Sequence, residues 1–264
     1  MTMGFIGTGV MGSAMLQAAL DSGFLKPEEV VICDKNPQTA GRFGVAAAGS
    51  VRKAAKACDV LQLGVKPQDM PALLEDIQPV LREGQLVVSI AAGFPLSEIT
   101  PYTPRHAPNA VRLMPNINAT VGQAITAYCA SESVPQEQLD FIKGYCGCFG
   151  QAIALEEKHF SAFVGLAGSA PAFVYLFIDE LARAGVAAGL PKAQALEIAS
   201  QTVLGSAALV QQSGKHPYEL IDNVCSPGGT TIAGINKLRE LGFAHAISQA
   251  ALASYRRDRE LQGL

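Results

Sequence analysis

A short apolar run, Met3-Gly4-Phe5-Ile6, leads directly into Gly7-Thr8-Gly9-Val10-Met11-Gly12, and Met11 to Leu20 then carries the spacing of a helix. Glycine at the first, third and sixth places of a strand-loop-helix unit is a tight demand. Gly7 permits a sharp turn, Gly9 leaves no side chain between the backbone and a pyrophosphate, and Gly12 lets the helix pack closely on the strand. The start of that helix offers unpaired N–H groups and the positive end of its dipole to phosphate. Gly7, Thr8, Gly9, Val10, Met11 and Gly12 are therefore the expected phosphate loop of a dinucleotide site, and the chain should open with a parallel sheet covered on both faces.

The next segments repeat that alternation. Val30 to Cys33, Val60 to Val65 and Leu86 to Ile90 are short aliphatic runs ending in turn residues, while Pro37 to Ala48 and Gln68 to Leu81 have helical spacing. Ala110 to Leu113, Ala124 to Cys129 and Ala152 to Leu155 extend the sheet. Past residue 157 the strand patterns stop. Glu157 to Ala188, Pro191 to Gln212, His216 to Asn223, Gly229 to Leu241 and Phe243 to Leu261 read as helices, with Pro191 and Gly214 as start and stop signals. The expected fold is α/β: an N-terminal Rossmann-type parallel-sheet domain over 1–156, then an all-helical domain over 157–264.

Composition narrows the partners. With 49% apolar and 16% charged residues in 264, the chain has ample core material, and its net charge of −3 gives no long-range attraction to nucleic acid or an anionic membrane. Six cysteines in a chain of this length do not need to staple it, so a reduced, cytoplasmic protein is expected, with Cys146 and Cys148 as small buried fillers and no metal site. Ala162 to Ile178 has no charge over 17 residues, nearly a membrane span, but Ser169, Pro171 and the lack of basic flanks favour a helix buried at a subunit interface. Such apolar helices predict a homodimer, with no membrane partner.

Asp34 ends the second strand, where a carboxylate accepts hydrogen bonds from the adenosine ribose of NAD. Lys35 and Asn36 follow it, and together they offer a 2′-phosphate site if Asp34 turns away. NADPH and NADH both stay open at this point. Ser226-Pro227-Gly228-Gly229-Thr230-Thr231 reads as a capped helix start, Ser226 being the cap and Pro227 lying in the first turn, because Ile232, Ile235, Leu238 and Leu241 recur at helical spacing beyond it. Its uncovered backbone donors and its hydroxyls make a receptor for a small carboxylate.

With Val65-Lys66-Pro67, Val88-Ser89-Ile90-Ala91-Ala92-Gly93, Val111-Arg112-Leu113-Met114-Pro115-Asn116 and Gly165-Leu166-Ala167-Gly168-Ser169-Ala170-Pro171-Ala172, these segments run along essentially the whole chain. In that order they resemble pyrroline-5-carboxylate reductase. The resemblance implies an oxidoreductase of proline biosynthesis, reducing 1-pyrroline-5-carboxylate to L-proline by hydride transfer from NADPH, with NADH possible. It implies that Ser226, Gly229, Thr230 and Thr231 hold the substrate carboxylate, that the Thr231 hydroxyl serves the ring nitrogen as the catalytic group, and that Glu157 lines the substrate site. Val65, Lys66, Pro67, Ala92, Asn116 and Asn223 join the phosphate loop and Asp34, Lys35 and Asn36 around the cofactor. A helical dimerisation domain is implied too, with the site at the dimer interface and dimers open to assembly into a ring.

Arg112 reads either as a substrate-side cation or as an ion-pair partner. His106, His159, His216 and His245 lie outside these segments. A β-hydroxyacid dehydrogenase would need a lysine in the first helix of the second domain, where this chain has Gly168, Ser169, Ala170 and Pro171. A broader imine reductase shares the hydride chemistry. A non-catalytic nucleotide-binding dimer would have no use for the Ser226 to Thr231 segment. Asp34 and Ala170, which replaces a glycine, are the departures from the family pattern.

Overall fold

The computed structural model describes residues 1–104 and 109–264, so His106 lies outside the described residues. The strands are β1 (Met3–Ile6), β2 (Val30–Cys33), β3 (Ala46–Ala47), β4 (Val60–Leu63), β5 (Leu86–Ser89), β6 (Ala110–Met114), β7 (Ala124–Ala130) and β8 (Gly150–Ala154). They form one sheet in the order β3-β2-β1-β4-β5-β6-β7-β8. β1 to β6 are parallel, β7 runs antiparallel to β6, and β8 is parallel to β7. The central strands β1, β4, β5 and β6 are buried along their whole length, which is why they read as continuous apolar runs instead of alternating ones.

Around the sheet lie α1 (Val10–Asp21), α2 (Thr39–Phe43), α3 (Val51–Ala57), α4 (Met70–Ile77), α5 (Leu96–Ile99) and α6 (Gln136–Gly147). Successive strand residues point to opposite faces. Met3, Phe5, Val30 and Val88 therefore pack with Met15, Leu16, Tyr145 and Phe149 on one side, and Ile6, Leu61, Leu63 and Val87 pack with Met70, Leu74 and Ile77 on the other.

The helix expected over Pro37–Ala48 is corrected to the five residues of α2 followed by the edge strand β3. Gly44, in the left-handed region at φ 66°, stops the helix, and the Val45 N–H turns back to the Ala40 carbonyl. α3 and α6 were not expected from the sequence. Ser50 caps α3 by accepting from the Lys53 N–H at 3.3 Å.

The run Glu157 to Ala188, expected as one helix, is broken into a 3-10 turn (Glu157–His159), α7 (Phe160–Phe163), a π turn (Val164–Gly168) and α8 (Ala170–Ala187). Then follow α9 (Lys192–Ser213), α10 (Pro217–Val224), α11 (Thr230–Glu240) and α12 (Phe243–Leu261). Strand gives way to helix near 156/157, whereas the chain divides by compactness into Met1–Gly168 with Tyr255–Leu264, and Ser169–Ser254.

Inside the second unit α8 and α9 pack through small residues, Ala182, Ala195 and Ala199, and a Cβ on Gly185 would stand only 3.1 Å from that of Ala195. Much of the remaining apolar surface is uncovered, with Tyr175 57%, Leu176 62% and Leu204 61% exposed. Glu157–Ala187 is long and apolar enough to cross a membrane by length and composition, and 22% of its most apolar window is buried within the chain.

Candidate functional site

Strand order reverses at β1, which pairs with β2 on one side and β4 on the other, so a crevice opens at the carboxyl ends of β1 and β4. Gly7 and Gly64 occupy those ends. The Gly7 N–H donates to the Cys33 carbonyl at 3.0 Å, and the Gly64 N–H to that of Ile6 at 2.8 Å. Gly7 lies at φ 80°, and a Cβ on Gly64 would collide with the Gly7 carbonyl oxygen. Gly64 is a site residue that sequence reasoning missed. Its signal is a glycine inside the third apolar run, Val60 to Val65, at the place where β4 ends, after Leu63.

Gly12 would bring a Cβ to 3.2 Å from the Gly7 carbonyl oxygen, so helix packing accounts for it. Gly9 differs, because a Cβ there would meet nothing within 4 Å. Packing does not demand this glycine, and the space above it is what a pyrophosphate needs. Gly9 is also the N-cap of α1, with no side chain covering the first-turn N–H groups and no acidic residue among them. These residues fit a dinucleotide.

Asp34 turns toward the loop. Its Oδ2 accepts from the Thr8 N–H at 2.6 Å and the Thr8 hydroxyl at 2.7 Å, and its Oδ1 from the Asn36 N–H at 2.8 Å. Burial works to raise its pKa, but the hydrogen bonds from the Thr8 hydroxyl and from the Asn36 and Thr8 amides, with the Lys35 charge, outweigh it and hold the carboxyl below its ordinary value. A groove of about 570 Å³ runs from Gly7 and Gly9 past Asp34 and Lys35 to Val65 and Lys66. Lys66 and Pro67 are exposed at the start of the 3-10 turn Pro67–Asp69, and Ala92 is exposed after β5. Asn116 is buried just past β6. Its Nδ2 donates to the Ala167 carbonyl at 3.1 Å, and its Oδ1 has no partner among the described residues.

Arg112 resolves to an ion-pair partner. Its side chain is 2% exposed, its Nη1 lies 2.9 Å from Glu157 Oε1, and its guanidinium stacks 4.7 Å from the centre of the Phe160 ring. The same Glu157 oxygen accepts from the Leu96 N–H at 2.9 Å. Glu157, expected at the substrate, is thus engaged in joining β6 to the first residue of α5.

In the second unit the reading of Ser226 as a helix cap is corrected. Ser226-Pro227-Gly228-Gly229 forms a turn closed by the Gly229 N–H to the Ser226 carbonyl at 3.0 Å, with Gly228 at φ 67°, and α11 starts afterwards with Gly229 as its N-cap. Proline at the second place and a left-handed glycine at the third are what such a turn requires. No side-chain hydrogen bond caps α11. Its first turn holds no acid, so the amides of Thr230 and Thr231 head an electropositive helix mouth beside three hydroxyls. Asn223 lies exposed in the last turn of α10.

Residues 157–261 match the family model for pyrroline-5-carboxylate reductase dimerisation, and residues 2–93 match the model for NADP oxidoreductase, coenzyme F420-dependent. The pyrroline-5-carboxylate reductase of Pisum sativum is 39% identical to this chain, the alignment covering 98% of this chain and 96% of that one. The chain belongs to the pyrroline-5-carboxylate reductase family. The family's enzyme from Escherichia coli strain K12 is 38% identical over 94% of this chain and 93% of its own. Among solved structures, the pyrroline carboxylate reductase of Plasmodium falciparum with NADP bound superposes with a TM-score of 0.87 at 28% identity, covering 99% of this chain and 98% of that one. That of Streptococcus pyogenes has a TM-score of 0.84 at 36% identity, covering 98% of each chain. The reductase family thus spans both compact units, the one with the glycine loop and the one with the open helix mouth.

Proposed function

We infer that this protein reduces 1-pyrroline-5-carboxylate to L-proline, with NADPH as the reductant. The observation that carries the reading is the combination, in a chain of this family, of a phosphate loop whose Gly9 packing does not explain and an uncapped helix mouth rimmed by Ser226, Thr230 and Thr231. When bound, the nicotinamide supplies the hydride that reduces the ring imine carbon.

The protein contributes binding, placement and a hydrogen-bond donor at the ring nitrogen. Gly7, Thr8, Gly9, Val10, Met11 and Gly12 hold the pyrophosphate on backbone donors, with Asp34, Lys35 and Asn36 at the adenosine end and Val65, Lys66, Pro67, Ala92 and Asn116 along the groove. The Ser226 hydroxyl and the amides of Thr230 and Thr231 receive the substrate carboxylate, a charge that the helix dipole favours, while Gly229, whose own N–H closes the turn, lets the carboxylate approach them without a side chain in the way. The Thr231 hydroxyl donates toward the ring nitrogen. An imine with a hydrogen-bonded or protonated nitrogen is the better hydride acceptor, so this contact is worth most as the bond to carbon forms. Glu157 serves by orienting the Arg112 region.

Residues 1–156 form the dinucleotide-binding part in this reading, and 157–264 the substrate and dimerisation part. The exposed side chains of Tyr175, Leu176 and Leu204 support a homodimer, since a monomer seldom leaves so much apolar surface in water. Six free cysteines accord with a reducing cytoplasm. The test is loss of reduced-nicotinamide absorbance when 1-pyrroline-5-carboxylate is added, with proline as the product. No proline formed at saturating substrate would overturn the reading.

A further inference from the structure

We propose that the Thr8 hydroxyl is a cofactor-specificity determinant, latching Asp34 against the phosphate loop so that the adenosine end of the groove favours a 2′-phosphate over a free ribose diol. The proposal rests on the NADPH reading above and deepens it. A carboxylate at the end of β2 selects NAD by accepting from the ribose hydroxyls. Here Asp34 Oδ2 already accepts two hydrogen bonds, from the Thr8 N–H at 2.6 Å and the Thr8 hydroxyl at 2.7 Å, and Oδ1 accepts one from the Asn36 N–H at 2.8 Å. A carboxylate oxygen has two lone pairs, so Oδ2 is saturated and Oδ1 retains a single place. Both hydroxyls of a ribose diol cannot be received together unless the Thr8 hydroxyl lets go.

The neighbourhood suits the phosphate instead. A cavity of about 450 Å³ beside the latch is lined by Thr8, Ser13, Asp34, Asn36, Gln38, Thr39 and Arg42; with the Thr8 and Ser13 hydroxyls already given to Asp34 and to the Thr8 carbonyl, it offers an anion the Arg42 guanidinium, the side-chain amides of Asn36 and Gln38 and the Thr39 hydroxyl. Lys35, which lines the adjoining groove, has its side chain 95% exposed with Nζ 3.8 Å from Asp69. Three donors on Asp34 disperse the one negative charge that would oppose a phosphate there.

The experiment measures dissociation constants of NADP+ and NAD+ by calorimetry for the native protein, Thr8→Ala, Thr8→Ser, Asp34→Asn and the double variant Thr8→Ala/Asp34→Asn. Thr8→Ala removes only the hydroxyl donor and keeps the backbone one. It should shift the NADP+ to NAD+ preference toward NAD+ by about tenfold, the scale of one hydrogen bond to a charged acceptor regained by the ribose diol. Thr8→Ser should keep the native ratio. In the Asp34→Asn background Thr8→Ala should no longer move the ratio, because the carboxylate acceptor it frees is gone. A ratio unchanged within about twofold in Thr8→Ala, or an equal shift with Asp34→Asn present, would overturn the latch while leaving the reductase reading intact. Failure of the native protein to bind either nucleotide would instead remove the reading on which the latch rests.

Discussion

One carboxylate oxygen, Glu157 Oε1, receives Arg112 Nη1 and the Leu96 amide, each at 2.9 Å, and so ties β6, the start of α5 and the first helical turn after the sheet to a single point. Arg112 is almost wholly buried, and its Nε and Nη2 have no partner among the described residues. Removing its counter-charge is therefore more damaging than removing the arginine. Glu157→Ala should cost about 3 kcal/mol in urea unfolding, as expected for a buried guanidinium left uncompensated. Arg112→Met, which keeps much of the volume and apolar packing against Phe160 while removing the buried charge, should cost less. The reverse order would show that the pair does not act as a buried ion pair.

The Tyr145 hydroxyl donates to Gln62 Oε1 at 2.8 Å in the core beneath α1, and both residues are fully buried. Tyr145→Phe strands that oxygen and should destabilise the protein by about 1–3 kcal/mol. Replacing Gln62 by leucine in the same protein should recover part of the loss. Midpoints of denaturant unfolding at constant slope measure both.

Two glycines should separate folding from binding. Gly9→Ala meets open space, so its thermal midpoint should stay near native, within about 0.5 kcal/mol of stability, while its NADP+ affinity falls. Gly64→Ala drives a methyl into the Gly7 carbonyl and should lose about 1–3 kcal/mol of stability along with affinity. Equal stabilities for the two would contradict the close approach of β1 and β4.

Burial pushes the thiol of Cys58 up to about 11 and those of Cys129 and Cys146 to about 12, from an ordinary 9.0. A raised folded pKa stabilises below the unfolded value and loses that contribution as pH climbs toward the folded one. The thermal midpoint should therefore fall between about pH 9 and 11, as the unfolded chain ionises first. Cys146→Ala should fall less steeply over that range than the native protein. A native midpoint flat across it would refute the assignment.

Thr231→Val keeps the backbone donor to the substrate carboxylate and removes only the hydroxyl. Turnover should drop by about tenfold to a thousandfold with little change in KM, the scale of one or two lost transition-state hydrogen bonds. Steady-state kinetics with 1-pyrroline-5-carboxylate decide it.

Local pattern was enough for the parts of this protein whose physics is local. The strand, glycine loop and helix at 3–21, the buried parallel strands and the helical second half all follow from apolar period and from turn chemistry a few residues long. So does the order of segments that marks the family. Where a feature depends on residues far apart in the chain, the sequence was silent or misleading. It showed Asp34 at a strand end but not that Thr8, on a neighbouring strand's loop, occupies it. Arg112 was legible as a cation but not as Glu157's partner, 45 residues away. Gly64 acquires its meaning only because β4 lies beside β1, and Ser226 looked like a cap until Pro227 and Gly228 closed a turn ahead of α11. Hydrogen-bond partners, ion pairs and close backbone approaches are set by which elements become neighbours, and that choice is made by the packing of the whole sheet.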